Sequence, residues 1–264
     1  MANQIYFVDS QLTNYEEIIS SFTEDNTYYV INSNSDGIEQ IIDVLSNYKE
    51  VEAIHVYSHG DVSSIRIGNS VLNNINVDEY KERLESIGKS LSSTGDILLY
   101  GCNVGKDEEG LEFVNKIAQY TQADVAASND LTGTSALGGD WDLETTVGSI
   151  ETQSILPISY NSVLVTDDYS NTTTNATVIS LDTVVNGNIE SNGDVDYFKV
   201  DLVEGQRYLF EMTDITLGID GQANLTFHNY TGIPFYSYSN MENKGVAQYL
   251  YTVEKTGTYY LSAS

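Results

Sequence analysis

Short apolar runs that stop at a polar residue beside a glycine set the rhythm of the first half of the chain. Val51–Gly60 reads VEAIHVYSHG and Asp96–Gly105 reads DILLYGCNVG; one apolar run ends at His59-Gly60 and the other at Gly101-Cys102. Ile5–Val8, Tyr28–Ile31 and Asp124–Ala127 are similar runs on either side. Continuous apolar runs of this length predict strands covered on both faces. Between them lie stripes at helical spacing: Ile38, Ile41, Ile42 and Leu45, then Tyr80, Leu84, Ile87 and Leu91, then Leu111, Val114, Ile117 and Ala118. Asp36 stands where a side-chain carboxylate caps the first of these helices. Ser64–Ile67 and Val71–Leu72, joined by Gly68-Asn69, predict a small hairpin laid over a strand end. Strands separated by helices need right-handed crossovers, so the expectation is α/β: a mainly parallel sheet with helices on both faces.

The pattern then changes. Asp140–Thr145 and Ser149–Thr152, around Val147-Gly148, predict a hairpin that closes a first domain over residues 1–163. From Leu164 to Thr177 the chain turns polar and rich in breakers, and beyond it helical stripes give way to β-rich runs at short spacing. These are Val178–Leu181, Val184–Ile189, Tyr197–Leu202, Tyr208–Met212, Asn224–His228, Phe235–Tyr238, Tyr249–Val253 and Tyr259–Ser262, with turn clusters such as Ser191-Asn192-Gly193-Asp194 between them. Regular short strands of this kind predict an all-β second domain over residues 164–264, an antiparallel β-sandwich.

Charge narrows the partners. A formal net charge of −28 in 264 residues opposes nucleic acid and anionic membrane, because such a surface repels phosphate. No run reaches the ~18 apolar residues of a membrane span, so membrane insertion is not expected. The opening MANQIYFVDS has neither a basic region nor a long apolar core, so it is no secretory signal. An acidic, cysteine-poor chain suits a calcium-rich setting outside the cell, where the ion neutralises carboxylates. The expected location is therefore secreted or at the cell surface, with any export signal elsewhere in a longer parent chain. The single cysteine rules out a disulfide within the chain.

That cysteine is also the candidate nucleophile. If the strands ending at His59 and Cys102 are neighbours, both side chains meet at the carboxyl edge of the sheet, where ligand sites of open α/β folds collect. A thiol has an unperturbed pKa of about 8.5, and a nearby imidazole or the amides of the helix near Glu108 favour the thiolate. The backbone amides of Gly60 and Cys102 then point at a developing oxyanion. Against this, a free cysteine is often only a small buried hydrophobe. His55, inside the strand, is read as a core residue, and His228, in a strand of the second domain, has no partner visible in the sequence.

YSHG after one strand and LLYGCNVG after the next resemble the caspase-like (clan CD) cysteine peptidases, the group of caspases, gingipains, clostripain, legumain and separase. With IHVYSHG, GDILLYGCNVG, ADVAASND and GGDWDLE, the first 160 residues look like a bacterial caspase-like family of unknown function found in large RTX-type and surface proteins. The resemblance implies a hydrolase, a cysteine-type endopeptidase (thiol protease) with Cys102 as nucleophile, His59 as acid/base, and the Gly60 and Cys102 amides as oxyanion hole. It places a substrate pocket around Ser128, Asn129 and Asp130, and the nearby Asp140 and Asp142 would then suit a basic P1 side chain. DDYSNTTTNAT, NGNIESNGDVDYFKVDLVEGQRYLFEM and KTGTYYLSAS resemble the bacterial pre-peptidase C-terminal domain. Some relatives of that domain bind calcium, for which Asp167, Asp168, Asp194 and Asp196 offer oxygen ligands. No cofactor is required by this reading, and calcium is the optional ion. The substrate would be a peptide or protein, including the parent chain itself or a neighbouring surface protein. The alternative is a non-catalytic caspase-like adhesion or assembly module of a large bacterial surface protein.

Overall fold

The computed structural model describes residues 3–153, 155–166, 168–187, 189, 194–212, 223–240 and 247–264. The chain divides into two compact units, Met1–Thr166 and Asp167–Ser264. The first contains β1 (Gln4–Asp9), β2 (Thr27–Ile31), β3 (Val51–Tyr57), β4 (Gly60–Asp61), β5 (Ser64–Ile67), β6 (Ser70–Asn73), β7 (Leu91–Tyr100), β8 (Asp124–Ala127) and β9 (Thr145–Val147). Its helices are α1 (Tyr15–Ile19), α2 (Gly37–Leu45), α3 (Lys81–Gly88) and α4 (Asp107–Thr121). The main sheet has the order β2-β1-β3-β7-β8-β9, parallel throughout except for β9 against β8. The fold is thus mixed α/β with a mostly parallel sheet, as the alternation of apolar runs and helical stripes predicts.

Crossover handedness decides which face each helix covers. From β1 the chain moves to β2 on one side; every later step, to β3, β7 and β8, moves the other way. A right-handed crossover that reverses direction must pass over the opposite face. The three longer helices therefore crowd one face, burying Ile38, Leu84 and Phe113 in one cluster with Ile5, Ile54 and Ile97. The expected helices on both faces are present but unequal, because among the described residues the second face carries one α-helix, α1, with Ile18 in the cluster of Tyr6, Val8 and Tyr57. Leu131, Trp141, Ile155, Tyr160 and Leu164 complete the cover of that face.

Some sequence expectations shift. Asp36 does cap α2, accepting from the N–H groups of Ile38 and Glu39 at 2.9 and 3.2 Å. Leu91, by contrast, does not end a helix but opens β7. Helix α3 stops at Gly88, where a Cβ would collide with the Thr121 backbone. The hairpin expected over 140–152 is absent: β9 pairs with β8 as the edge of the main sheet, and Ser149–Thr152 forms no strand. Backbone pairing with an open sheet edge there wins over local hairpin closure.

The second unit contains β10 (Thr177–Val178), β11 (Asp196–Leu202), β12 (Arg207–Met212), β13 (Ala223–His228), β14 (Pro234–Asn240), β15 (Ala247–Thr252) and β16 (Gly257–Ala263). One sheet has the order β10-β11-β16-β13-β14, antiparallel apart from the two-residue β10, and β12 and β15 form a separate antiparallel pair. The two sheets share one apolar cluster, joined through Phe227, whose ring lies 4.7 Å from Phe210 and 4.8 Å from Tyr249. Tyr236, Tyr249, Tyr251 and Tyr259 join this packing. The strand expected at Val184–Ile189 does not form over 183–187: Val184 is exposed, so pairing there would bury little apolar surface. The turn at Ser191-Asn192-Gly193 lies outside the described residues.

Candidate active site

Strands β3 and β7 are neighbours, with Tyr57 opposite Tyr100. The pairing runs on as the Ser58 N–H donates to the Tyr100 carbonyl at 3.0 Å. Ser58-His59-Gly60 and Gly101-Cys102 therefore leave the sheet side by side at its carboxyl edge. Close backbone approach explains both glycines. A Cβ on Gly60 would sit 2.6 Å from the Gly101 carbonyl carbon and 2.7 Å from the Cys102 oxygen; on Gly101 it would sit 3.1 Å from the Ser58 oxygen.

The two candidate catalytic side chains are held by backbone groups rather than by each other. The half-buried His59 has Nδ1 3.3 Å from the Leu164 carbonyl oxygen and Nε2 3.3 Å from that of Gln11. The Cys102 Sγ accepts from the Thr132 N–H at 3.3 Å and faces the Thr132 carbonyl at 3.7 Å. Cys102 is 0% exposed. Burial pushes its thiol up to about 12, against the pull of the Thr132, Leu164 and Cys102 amides. The amides that act on the sulfur are thus those three, whereas α4, the helix expected to supply them, begins only at Asp107. Of the two amides proposed for the oxyanion, that of Gly60 already donates to the Leu164 carbonyl at 3.1 Å.

Asp9 is a supporting residue that the sequence reading missed. Buried at the end of β1, it accepts from the Gln11 N–H at 2.9 Å, the Ser58 hydroxyl at 3.2 Å and the Gly68 N–H at 2.6 Å. One carboxylate thereby ties the turn before His59 to the β5–β6 hairpin. The signal was there to find, because Phe7-Val8-Asp9 is another apolar run ending in a polar residue.

His55 faces the same cluster from inside the sheet. Its ring stacks on Tyr6, with centroids 4.3 Å apart, and the Tyr100 hydroxyl lies 3.5 Å from Nδ1. Nε2 is buried without a hydrogen-bond partner, and burial lowers the ring's pKa to about 3. In the unfolded chain the ring titrates near its ordinary 6.5, so between pH 6.5 and 3 the unfolded state binds the extra proton. Stability is therefore untouched above pH 6.5 and falls by up to about 1.4 kcal/mol per pH unit below it. Urea denaturation of the wild type and His55→Phe should show a stability difference that is flat at neutral pH. It should then shift against the wild type by about 3 kcal/mol at pH 4. A difference that stays flat throughout would mean the folded protein accommodates the charged ring.

The acidic residues sort into separate groups. Ser128 is buried, with its hydroxyl 3.2 Å from the Asp130 carbonyl, and the Asn129 N–H donates to Glu144 at 2.9 Å. Asp130, Asp140 and Glu144 bring carboxylate oxygens within 4.8 Å of one another, while the Asp142 N–H donates to Asp140 at 2.9 Å. Partial burial and then the Asp140 and Glu144 charges raise the Asp130 pKa. Glu144 is a member of this group that the sequence reading did not single out. At the other end of the sheet Asp96, Asp124 and Glu151 form a second trio, with Asp96 accepting from the Thr152 N–H at 2.9 Å. Among the described residues, Asp168, Asp194 and Asp196 do not gather into such a trio, and Asp167 lies outside the described residues. Asp168 and Asp196 both act on the Tyr169 phenol, whose hydroxyl donates to the Asn186 carbonyl at 2.7 Å. His228 does find partners, Ser262 at 3.0 Å and the Gly232 carbonyl at 3.3 Å.

The sequence model of one family, described as a domain of unknown function (DUF4347), matches residues 5–164. The chain belongs to that family. The match spans the parallel-sheet unit from β1 to the segment that covers Cys102. No curated protein matches the chain.

Proposed function

We propose that the chain is a cysteine endopeptidase with a caspase-like first domain, in which Cys102 is the nucleophile and His59 the general acid. One observation carries the reading: His59 and Cys102 leave adjacent parallel strands and both reach the backbone of Leu164, the imidazole at its carbonyl oxygen and the sulfur at its N–H. In turnover Cys102 passes its proton to His59 and its sulfur attacks the substrate carbonyl. The Gly60 and Cys102 amides hold the oxyanion, and His59 protonates the leaving amine. Water then hydrolyses the thioester. The same reading makes the second unit a pre-peptidase C-terminal-like β-sandwich, and puts the protein outside the cell, with calcium as an optional ligand. Among the described residues no helix is long and apolar enough to cross a membrane.

A second reading, a non-catalytic surface module, is favoured by the closed thiol: Cys102 is fully buried, and that burial raises its pKa and so disfavours the thiolate. A thiol-directed peptidyl probe separates the two. An endopeptidase should be labelled at Cys102, and His59→Ala should abolish the labelling while leaving the fold intact by circular dichroism. Labelling no faster than that of free cysteine, and indifferent to His59, would make the protein a module.

A further inference from the structure

The segment that leaves the first unit is threaded through the candidate site. Val163 bridges antiparallel to Gly133, and Val165 bridges parallel to Gly60. Along one side, the Thr134 N–H donates to the Ser162 carbonyl at 2.9 Å and the Leu164 N–H to the Thr132 carbonyl at 2.8 Å. The Gly60 N–H donates to the Leu164 carbonyl at 3.1 Å, and His59 Nδ1 lies 3.3 Å from the same oxygen. The strip that pairs with this segment also touches the sulfur, through the Thr132 N–H at 3.3 Å. The Leu164 side chain is fully buried in the cluster that contains Cys102, while Val165 beyond it is half-buried and Thr166 is exposed.

An extended chain held by backbone pairing to two other segments, with one side chain buried among apolar ones, is how a strand-like peptide is recognised. Edge pairing alone accounts for the hydrogen bonds of Ser162 and Leu164 to residues 132–134. Neither that pairing nor the bridge from Val165 to Gly60 accounts for the imidazole that meets the Leu164 carbonyl. Nor does either account for Thr132 Oγ1, buried with no hydrogen-bond partner in the residue whose N–H meets the sulfur.

We propose that Leu164–Val165 is a scissile bond of the chain itself, presented in cis to Cys102 and His59. The inference rests on the peptidase reading above and names its substrate class: an extended segment with leucine, rather than a basic residue, on the acyl side. Cys102 Sγ forms a bond to the Leu164 carbonyl carbon and its proton passes to His59. The bond from that carbon to the Val165 nitrogen breaks, and the nitrogen leaves as an amine with the proton from His59. Water then cleaves the thioester, restoring the thiol and leaving a carboxylate on Leu164. The cut falls two residues before Asp167, where the second unit begins, and so separates the two units.

The test follows the purified full chain by intact mass and N-terminal sequencing, alongside Cys102→Ala and Cys102→Ser, and assays all three with a fluorogenic Ser-Val-Leu substrate and its Ser-Val-Arg counterpart. The expected result is a fragment that begins at Val165, formed at a rate independent of protein concentration and absent from both variants. Ser-Val-Leu should be cleaved at least ten times faster than Ser-Val-Arg. Turnover of either substrate by a chain that stays whole, or is cut elsewhere, keeps the peptidase reading and overturns this bond as its target. If the chain stays whole and neither substrate turns over, both readings fall.

Discussion

Replacing Cys102 with alanine should abolish peptide turnover, with a loss of roughly 10⁵–10⁶-fold, the scale seen when a covalent nucleophile is removed. His59→Ala should cost less, about 10²–10⁴-fold, because a missing general acid leaves the nucleophile and oxyanion donors in place. The double variant should be no worse than Cys102→Ala alone, since the imidazole has no thioester chemistry left to assist. The burial of Cys102 argues for measuring this after the cover over the sulfur has been released, with kcat/KM on a peptide substrate as the readout. Loss below tenfold in a folded Cys102→Ala protein would place the chemistry elsewhere.

Gly60→Ala is the second large effect, and it acts on stability. The added Cβ would sit 2.6 Å from the Gly101 carbonyl carbon and from Val104 Cγ2, and 2.7 Å from the Cys102 oxygen. Two of these three are backbone atoms of a buried turn, which cannot swing aside as a flexible side chain would. The expected cost is about 3 kcal/mol, the upper end of overpacking effects, or a fall in Tm of about 6–12 °C for a unit of this size. Gly101→Ala, with contacts no closer than 3.1 Å, should cost distinctly less. Thermal melts of the two variants check the order. An inverted order would mean that the turns after β3 and β7 are further apart than the structure has them.

The sequence made the sheet legible because its strands are buried on both faces and so read as unbroken apolar runs; β8 has the bounds that its run Asp124–Ala127 suggests. Leu91 misled because it continues the spacing of Tyr80, Leu84 and Ile87, although the chain turns at Gly88 before reaching it. Helix α1 is five residues long, too short for a stripe to show. The pairing of strand ends bearing His59 and Cys102 was legible from their shared pattern. The presence of Leu164 between them was not, because nothing local marks a leucine whose importance comes from lying across two other strands. Asp9 was missed for the opposite reason: its signal was present but lacked a partner in sequence to give it meaning.

The uneven distribution of helices gives the first unit a hard side and a soft side. Under α2, α3 and α4 the sheet is sealed by elements that satisfy their own backbone hydrogen bonds along their length. Over Cys102 the seal is Leu131, Trp141, Tyr160 and Leu164, on chain that has little helix or strand of its own and whose amides depend on neighbours far away in sequence. Such a cover opens as a local event, at a free energy below that of global unfolding. Amide exchange should therefore run in two tiers, with Thr134 and Leu164 exchanging well before Ile54 and Leu98 in the central strands. The slow step for the reaction of Cys102 with any substrate from another molecule would then be the lifting of this seam, and temperature would govern it as it governs a partial melt.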